Sequence, residues 1–322
     1  MMPGLLRELV ALDTASPMAP PALDAAGRFL ARWGLRKSDD GPFWLRRRPG
    51  TDVWIYSHID TKPAGDAGAW GSAPLVLTRS GARLVGLGVS DAKFQLLNAL
   101  RAGSEFGLNI LVDGGEECGD LSAARFLAAQ DCGVLVLADG SGTDGQTFCG
   151  TMGQMDGEIA IASGLKPVHP GRARRVHIAK QLGELLQDMR ADGSRINLTG
   201  LGAPVTERSL TTEACSVRFD LRYGPADQPA ADAFTAKWDA RLRQHYAPLG
   251  RDDARFGPRA AFSSPMGSVL GTDVAVVVVP GGRPDNGNHQ PDEWIDAAQI
   301  QLHDELLRRV LAALAGEAHA AA

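Results

Sequence analysis

Short apolar runs alternate with helical stretches between residues 43 and 138, and these runs end on acids or a histidine. Val53–Ser57, Leu108–Val112 and Val134–Ala138 are brief and free of charge, the pattern of strands buried on both faces. Between the first two, Asp91–Glu105 sets Leu96, Leu97 and Leu100 on one helical face, and Leu121–Ala129 reads as another helix. Strands that alternate with helices predict an α/β fold built on a mostly parallel sheet. Such sheets bind ligands beyond the carboxyl ends of their strands. Upstream, helical spacing over 5–12 and 21–34 leads through the polar turn Lys37–Pro42 to another short strand, Phe43–Arg47.

Near residue 155 the pattern changes. Glu158–Ala162, Ile196–Leu201 and Cys215–Tyr223 read as strands, and Ala173–Met189 and Ala230–Tyr246 as helices. The series is βαββα, a compact α+β unit of roughly 100 residues, which is a normal domain size. After Gly250 the α/β pattern returns, with Asp273–Pro280 as a strand and Ala297–Leu314 as a helix; the Ala-rich residues from 316 on are expected to fray. The expected organisation is a discontinuous catalytic domain, 1–154 and 256–322, interrupted by an inserted domain, 155–255.

Composition removes several classes of function. A formal charge of −5 leaves no basic footprint for nucleic acid, and the cluster Arg46-Arg47-Arg48 is expected on a solvated face. No apolar run approaches the roughly 20 residues that span a bilayer. Met1–Glu8 lacks the basic-then-apolar layout of a signal peptide and reads as the first turn of a helix. Cys118, Cys132, Cys149 and Cys215 form no CxxC pair and are expected as free thiols in a reducing compartment. Together these features predict a soluble cytoplasmic protein.

The chemistry-bearing residues stand just past predicted strands. Tyr56-Ser57-His58-Ile59-Asp60 delivers His58 and Asp60 to one side of a strand, two residues apart. Asp60 is thereby placed to take the second ring nitrogen of a metal-bound His58. The turn Gly86–Lys93 presents Asp91 ahead of a helix, Asp113–Gly119 carries Glu116 and Glu117, Leu137–Gly140 carries Asp139, and Gly287–Glu293 carries His289. Each has an ordinary alternative: Asp91 as a helix cap, Glu116-Glu117 as a solvated loop, Asp139-Gly140 as a turn, His289 as a loop residue. Their joint occurrence at the ends of different strands of one sheet points instead to a shared site.

These stretches resemble the metallopeptidase M20 family, which includes acetylornithine deacetylase, succinyl-diaminopimelate desuccinylase and the glutamate carboxypeptidases. The matching residues are His58-Ile59-Asp60-Thr61, Gly86-x-Gly88-x-x-Asp91-x-Lys93, Glu116-Glu117, Asp139 and His289-x-Pro291-Asp292-Glu293. Trp70 ahead of Pro74, Leu6–Thr14 and Gly271-Thr272-Asp273 add support. The resemblance implies a site for two divalent metals, zinc first, with cobalt or manganese also suited to mixed His and carboxylate donors. It implies His58 and Asp139 on one metal, Glu117 and His289 on the other, Asp91 bridging both, and Glu116 as the general base that activates a metal-bridged water. It also implies an inserted domain that serves as a lid and as the surface of a homodimer. Val217–Arg222 is similar to the family's strand ending in an arginine, and Arg222 is a candidate anchor for a substrate carboxylate, the alternative being a surface ion pair. His169 is the candidate for the family's lid histidine. Ser209 and Thr212 stand where the family places Asn-x-x-Pro, so Ser209 is a further substrate-binding candidate, and Phe94 replaces the glycine that usually follows the lysine.

The expected activity is hydrolysis of the amide bond in a small N-acyl amino acid, of the deacetylase or desuccinylase type. An exopeptidase or dipeptidase acting on short peptides shares the same site, and a binding protein that has lost its chemistry is the reading outside catalysis. A dinucleotide-binding enzyme is excluded. Gly86-x-Gly88 has no third glycine in register, and Asp91 would set negative charge where a pyrophosphate must bind.

Overall fold

The computed structural model describes residues 2–142, 145–162, 181, 183–185, 187–188, 195–202 and 214–320. The chain begins with helices α1 (Met2–Val10) and α2 (Pro20–Ala31), then strands β1 (Arg36–Lys37), β2 (Phe43–Arg46) and β3 (Val53–His58). A hairpin, β4 (Thr78–Ser80) and β5 (Arg83–Val85), precedes helix α3 (Phe94–Glu105). Next come β6 (Asn109–Asp113), α4 (Ser122–Ala128) and β7 (Val134–Leu137). The middle of the chain supplies β8 (Thr151–Ala162), β9 (Arg195–Gly202), β10 (Ala214–Tyr223), α5 (Gln228–Lys237) and β11 (Arg241–Tyr246). It closes with β12 (Ala260–Ser263), α6 (Gly267–Leu270), β13 (Ala275–Val278), β14 (Trp294–Asp296) and α7 (Ala297–Ala320).

The main sheet has the order β1-β2-β6-β3-β7-β13. Strands β6, β3, β7 and β13 pair in parallel, and β1 and β2 run antiparallel at one edge. Successive residues of its apolar strands face opposite sides, so each strand feeds two cores. Ile55, Val136 and Val277 pack against α3 and α7, through Ala99, Ala102 and Leu307. Trp54, Tyr56, Leu135 and Val278 pack on the other side against Leu127 of α4 and Met266 beside α6. This two-sided burial is why those strands carry no polar alternation. Every parallel strand also points its carboxyl end to the same edge of the sheet.

The second sheet runs antiparallel in the order β11-β8-β10-β9, with β12 added in parallel beside the start of β8, and α5 packs on it through the edge-to-face pair Phe219–Phe234 at 5.5 Å. Here the sequence reading needs correction. Ala230–Tyr246 is not one helix: α5 ends at Lys237, Asp239 takes a left-handed φ of 47°, and Arg241–Tyr246 becomes β11, paired with β8. An edge strand exposed along nearly its whole length carries no buried stripe, and its Arg-Leu-Arg sequence suits a helix as well as a strand. The helix expected from Asp91 starts at Phe94, and α7 continues through the Ala-rich tail to Ala320 instead of fraying at 316. Of the expected helix Ala173–Met189, residues 181, 183–185 and 187–188 are helical and the rest lie outside the described residues. His169, Ser209 and Thr212 also lie outside them.

The basic cluster is only partly solvated. Arg46 turns inward, donating to the Trp33 carbonyl at 2.9 Å and to Ser104 Oγ at 3.0 Å. All four cysteines are free thiols. Among the described residues no helix is long and apolar enough to cross a membrane.

Candidate metal centre

The carboxyl edge of the main sheet gathers acids and imidazoles that lie far apart in sequence. His58 is the last residue of β3 and is buried, with Nδ1 toward Asp60, 3.1 Å from its carbonyl oxygen and 3.4 Å from Oδ1. That leaves Nε2 facing Asp91 Oδ1 at 3.1 Å and Asp139 Oδ1 at 3.3 Å. Asp139 follows the end of β7 by two residues, which sets it beside the exit of β3 because the two strands are parallel neighbours.

Asp91 sits in an irregular turn with φ −125° and ψ 96°, so it does not cap α3. The turn is fixed from elsewhere in the chain. Buried Glu293 accepts the backbone N–H groups of Gly88 (2.9 Å), Ser90 (2.6 Å) and Asp91 (2.8 Å). Gly88 is required by its φ of 71° and because a Cβ there would stand 2.3 Å from Thr61 Cγ2. Asp91 then offers Oδ2 to His289 Nε2 at 3.2 Å and accepts Asn288 Nδ2 at 3.2 Å.

Glu116 and Glu117 lie in a single turn after β6. Glu117 is buried, and its Oε1 lies 2.9 Å from His289 Nε2. Its backbone N–H donates to Asp60 Oδ2 at 3.0 Å, so Asp60 contacts His58 and Glu117 together. Glu116, half-buried, shares the 4.8 Å neighbourhood of His58 and Glu117.

The geometry yields overlapping donor sets: His58, Asp91 and Asp139; Asp91, Glu117 and His289; and His58, Glu116 and Glu117. Asp91 belongs to both of the first two. Electrostatics follow from crowding acids against few bases. Burial opposes charge on His58, but the carboxylates of Asp139, Asp60 and Asp91 outweigh it and raise its pKa well above the ordinary value. Hydrogen bonds to Asp91 and Glu117 raise His289 to about 10. Burial works against ionisation of Asp91, yet His289 and His58 hold it below the usual carboxylate range. Glu116 moves the other way: burial, then Asp139, Glu117 and Asp60, raise its pKa well above normal against the opposing pull of His58.

Convergent oxygens and imidazole nitrogens, with more anionic groups than the nearby bases can balance, are the donor chemistry that divalent cations favour. Asp60 Oδ1, buried without a conventional hydrogen-bond partner, is spare acceptor capacity backing His58. The residues fit two divalent metal ions.

A cavity of about 380 Å³ opens over the cluster. The main sheet side contributes Lys62, Ser141 and Asn288 to its wall, and the second sheet contributes Gln154, Arg222, Gln244 and Tyr246. Gln154 pairs with both Arg222 and Tyr246 across strands, so these side chains share one end of the second sheet. Arg222 is held by Asp220, with Nε to Oδ1 at 2.8 Å and Nη2 to Oδ2 at 3.2 Å, while Nη1 donates to Ser263 Oγ at 2.7 Å. It is thus both ion-paired and part of the cavity wall. Sequence reasoning passed over Lys62 and Asn288, although each lies within two residues of a site residue. Gln244 and Tyr246 were hidden by the reading of 230–246 as a helix.

Mixed His and carboxylate donors at the carboxyl edge of a parallel sheet, under a small polar cavity, define a metal-dependent hydrolase. The chain belongs to peptidase family M20/M25/M40, whose model matches residues 54–313. In fold it resembles an M20-family metallo-carboxypeptidase from Sulfolobus solfataricus, with a TM-score of 0.70 at 16% identity over 96% of this chain and 98% of that one. The aminopeptidase PepT from Bacillus cereus gives a TM-score of 0.70 at 16% identity over 96% and 97% of the two chains. A dinuclear metal-binding M20 peptidase from Bacillus subtilis gives 0.62 at 12% identity over 96% and 97%. No curated protein matches the chain.

Proposed function

We propose that this metallohydrolase cleaves the amide bond of a small N-acyl amino acid, as a deacetylase or desuccinylase does. The observation that carries the reading is the pair of donor sets sharing Asp91 under a polar cavity of about 380 Å³, a volume suited to a small molecule. His58 and Asp139 would hold one divalent cation and Glu117 and His289 the other, with Asp91 between them; zinc is the first candidate, cobalt or manganese the next. Bound there, the cations would polarise the scissile carbonyl and make a water molecule easier to deprotonate.

The chain's own residues do the remaining work. Glu116 takes the proton of the attacking water and returns it to the departing amine nitrogen, as a carboxylate beside the donor sets can. Asp60 holds the ring of His58. Arg222 keeps its guanidinium at the cavity wall through Asp220 and Ser263, and binds the substrate's carboxylate. His169 and Ser209 remain candidates for substrate contact. The second sheet serves as a lid, and residues 155–255 are the inserted domain through which two copies pair as a homodimer in the cytoplasm.

Cleavage of short peptides is the second reading, favoured by the fold likeness to an aminopeptidase and a carboxypeptidase. Protein reloaded with zinc or cobalt should be offered N-acetyl and N-succinyl amino acids beside dipeptides. Turnover of the acylated amino acids supports the first reading, and turnover of dipeptides alone supports the second. No turnover of either counts against both substrate classes and raises the reading of a binding protein that has lost its chemistry.

A further inference from the structure

Lys62 lies two residues beyond Asp60, and its side chain is 42% exposed at the wall of the cavity, whereas that of Glu117 is 3% exposed. Its Nζ lies 3.0 Å from Glu117 Oε2 and also contacts the Glu117 carbonyl oxygen. The other carboxylate oxygen, Oε1, faces His289. Residues 60 and 62 thus grip one residue at its N–H, its carbonyl and one side of its carboxylate. The base of this grip is itself fixed. The Thr61 N–H donates to the Thr14 carbonyl at 3.0 Å, and the Thr61 carbonyl accepts the Ser16 N–H at 2.8 Å.

We infer that Lys62 is a positioning residue: it occupies Oε2 of Glu117, so that Oε1 alone is presented to a cation shared with His289 and Asp91. The inference rests on the two-metal reading above. A carboxylate free to rotate can offer either oxygen or both, and a ligand with several orientations binds a cation less firmly than one held in a single orientation. The same grip fixes the turn that carries Glu116. A lysine acting only as a charge would have the opposite effect, because a cation beside a metal site repels the metal and its removal would tighten binding.

That difference in sign supplies the test. Full-length wild type, Lys62→Met and Lys62→Arg are stripped of metal and titrated with zinc alone by calorimetry, then with cobalt alone by visible absorption. Wild type should take up two ions per chain. K62M should lose about 10- to 100-fold in affinity for one of them and keep the other. K62R should stand close to wild type, and kcat of K62M should fall with little change in KM. Thermal melts check folding, and Lys62→Gln repeats the titration if K62M does not fold. If the neutral variant binds both ions as tightly as wild type, or more tightly, or weakens both equally, the positioning role is wrong while the metal reading stands. Wild type that takes up no metal overturns both.

Discussion

Asp91 is the residue on which the two donor sets meet, one oxygen toward His58 and the other toward His289. Its neighbours divide the labour by environment. His58 has a fixed ring and a buried setting, whereas Glu116 has the acids Asp139, Glu117 and Asp60 around it. Glu116→Gln should therefore lower kcat by roughly 10²- to 10⁴-fold, the usual weight of a general acid–base, and leave metal content at the wild-type level. Steady-state kinetics paired with elemental analysis would check both halves, and loss of metal in the variant would count against the assignment. At this scale the sequence was informative where a residue type is scarce and its position marked: a histidine or an acid just past an apolar strand. Lys62 was not legible, because a lysine after a strand is ordinary until Glu117, 55 residues further along the chain, is known to sit against it.

The turn that bears Asp91 depends on an element from the far end of the sequence. Glu293 Oε1 accepts from Ser90 and Asp91, and Oε2 accepts from Gly88. Burial, then the charge of Asp91, raises Glu293 to about 7, so this carboxyl is retained for its acceptors at some electrostatic expense. Glu293→Ala would leave these N–H groups without their acceptor and should cost about 3 kcal/mol of stability. Glu293→Gln keeps an acceptor for Ser90 and Asp91 and turns a donor on Gly88, so it should cost about 1 kcal/mol. Urea denaturation of both variants would test that order, and equal losses would argue against the bonding described. The buried strands of the main sheet were readable because burial on both faces leaves continuous apolar runs. β11 was not, because an exposed edge strand is specified by the backbone of β8 and not by a pattern of its own.

Across the whole molecule, α7 returns over the main sheet and packs His303 against Phe94 of α3, ring centroids 5.4 Å apart. Phe94 fills this place where a glycine was expected, and the consequence is a packing contact. His303 is neutral by construction: Nε2 donates to the Val279 carbonyl at 3.1 Å, and Nδ1 accepts from Asn98 at 2.9 Å. Burial lowers its pKa to about 4. A group whose folded value lies below its unfolded one, about 6.5, contributes stability above that value and loses it as pH falls. Between pH 7 and pH 5 wild type should therefore lose about 2 kcal/mol more than His303→Gln, compared by denaturant melts. Parallel losses in the two proteins would show that His303 is not the group involved. At this scale the α/β class and the change of character near residue 155 were legible from the alternation of elements, but the closure of one cavity by both sheets was not, since nothing local records which strand ends meet.

The donors run from His58 to His289, so the second imidazole belongs to a late part of the chain. A polypeptide still emerging from the ribosome lacks it until residue 289 has been synthesised, long after His58. On the two-cation reading, amide-cleaving chemistry is thereby withheld from a nascent chain until both imidazoles, far apart in sequence, have been made.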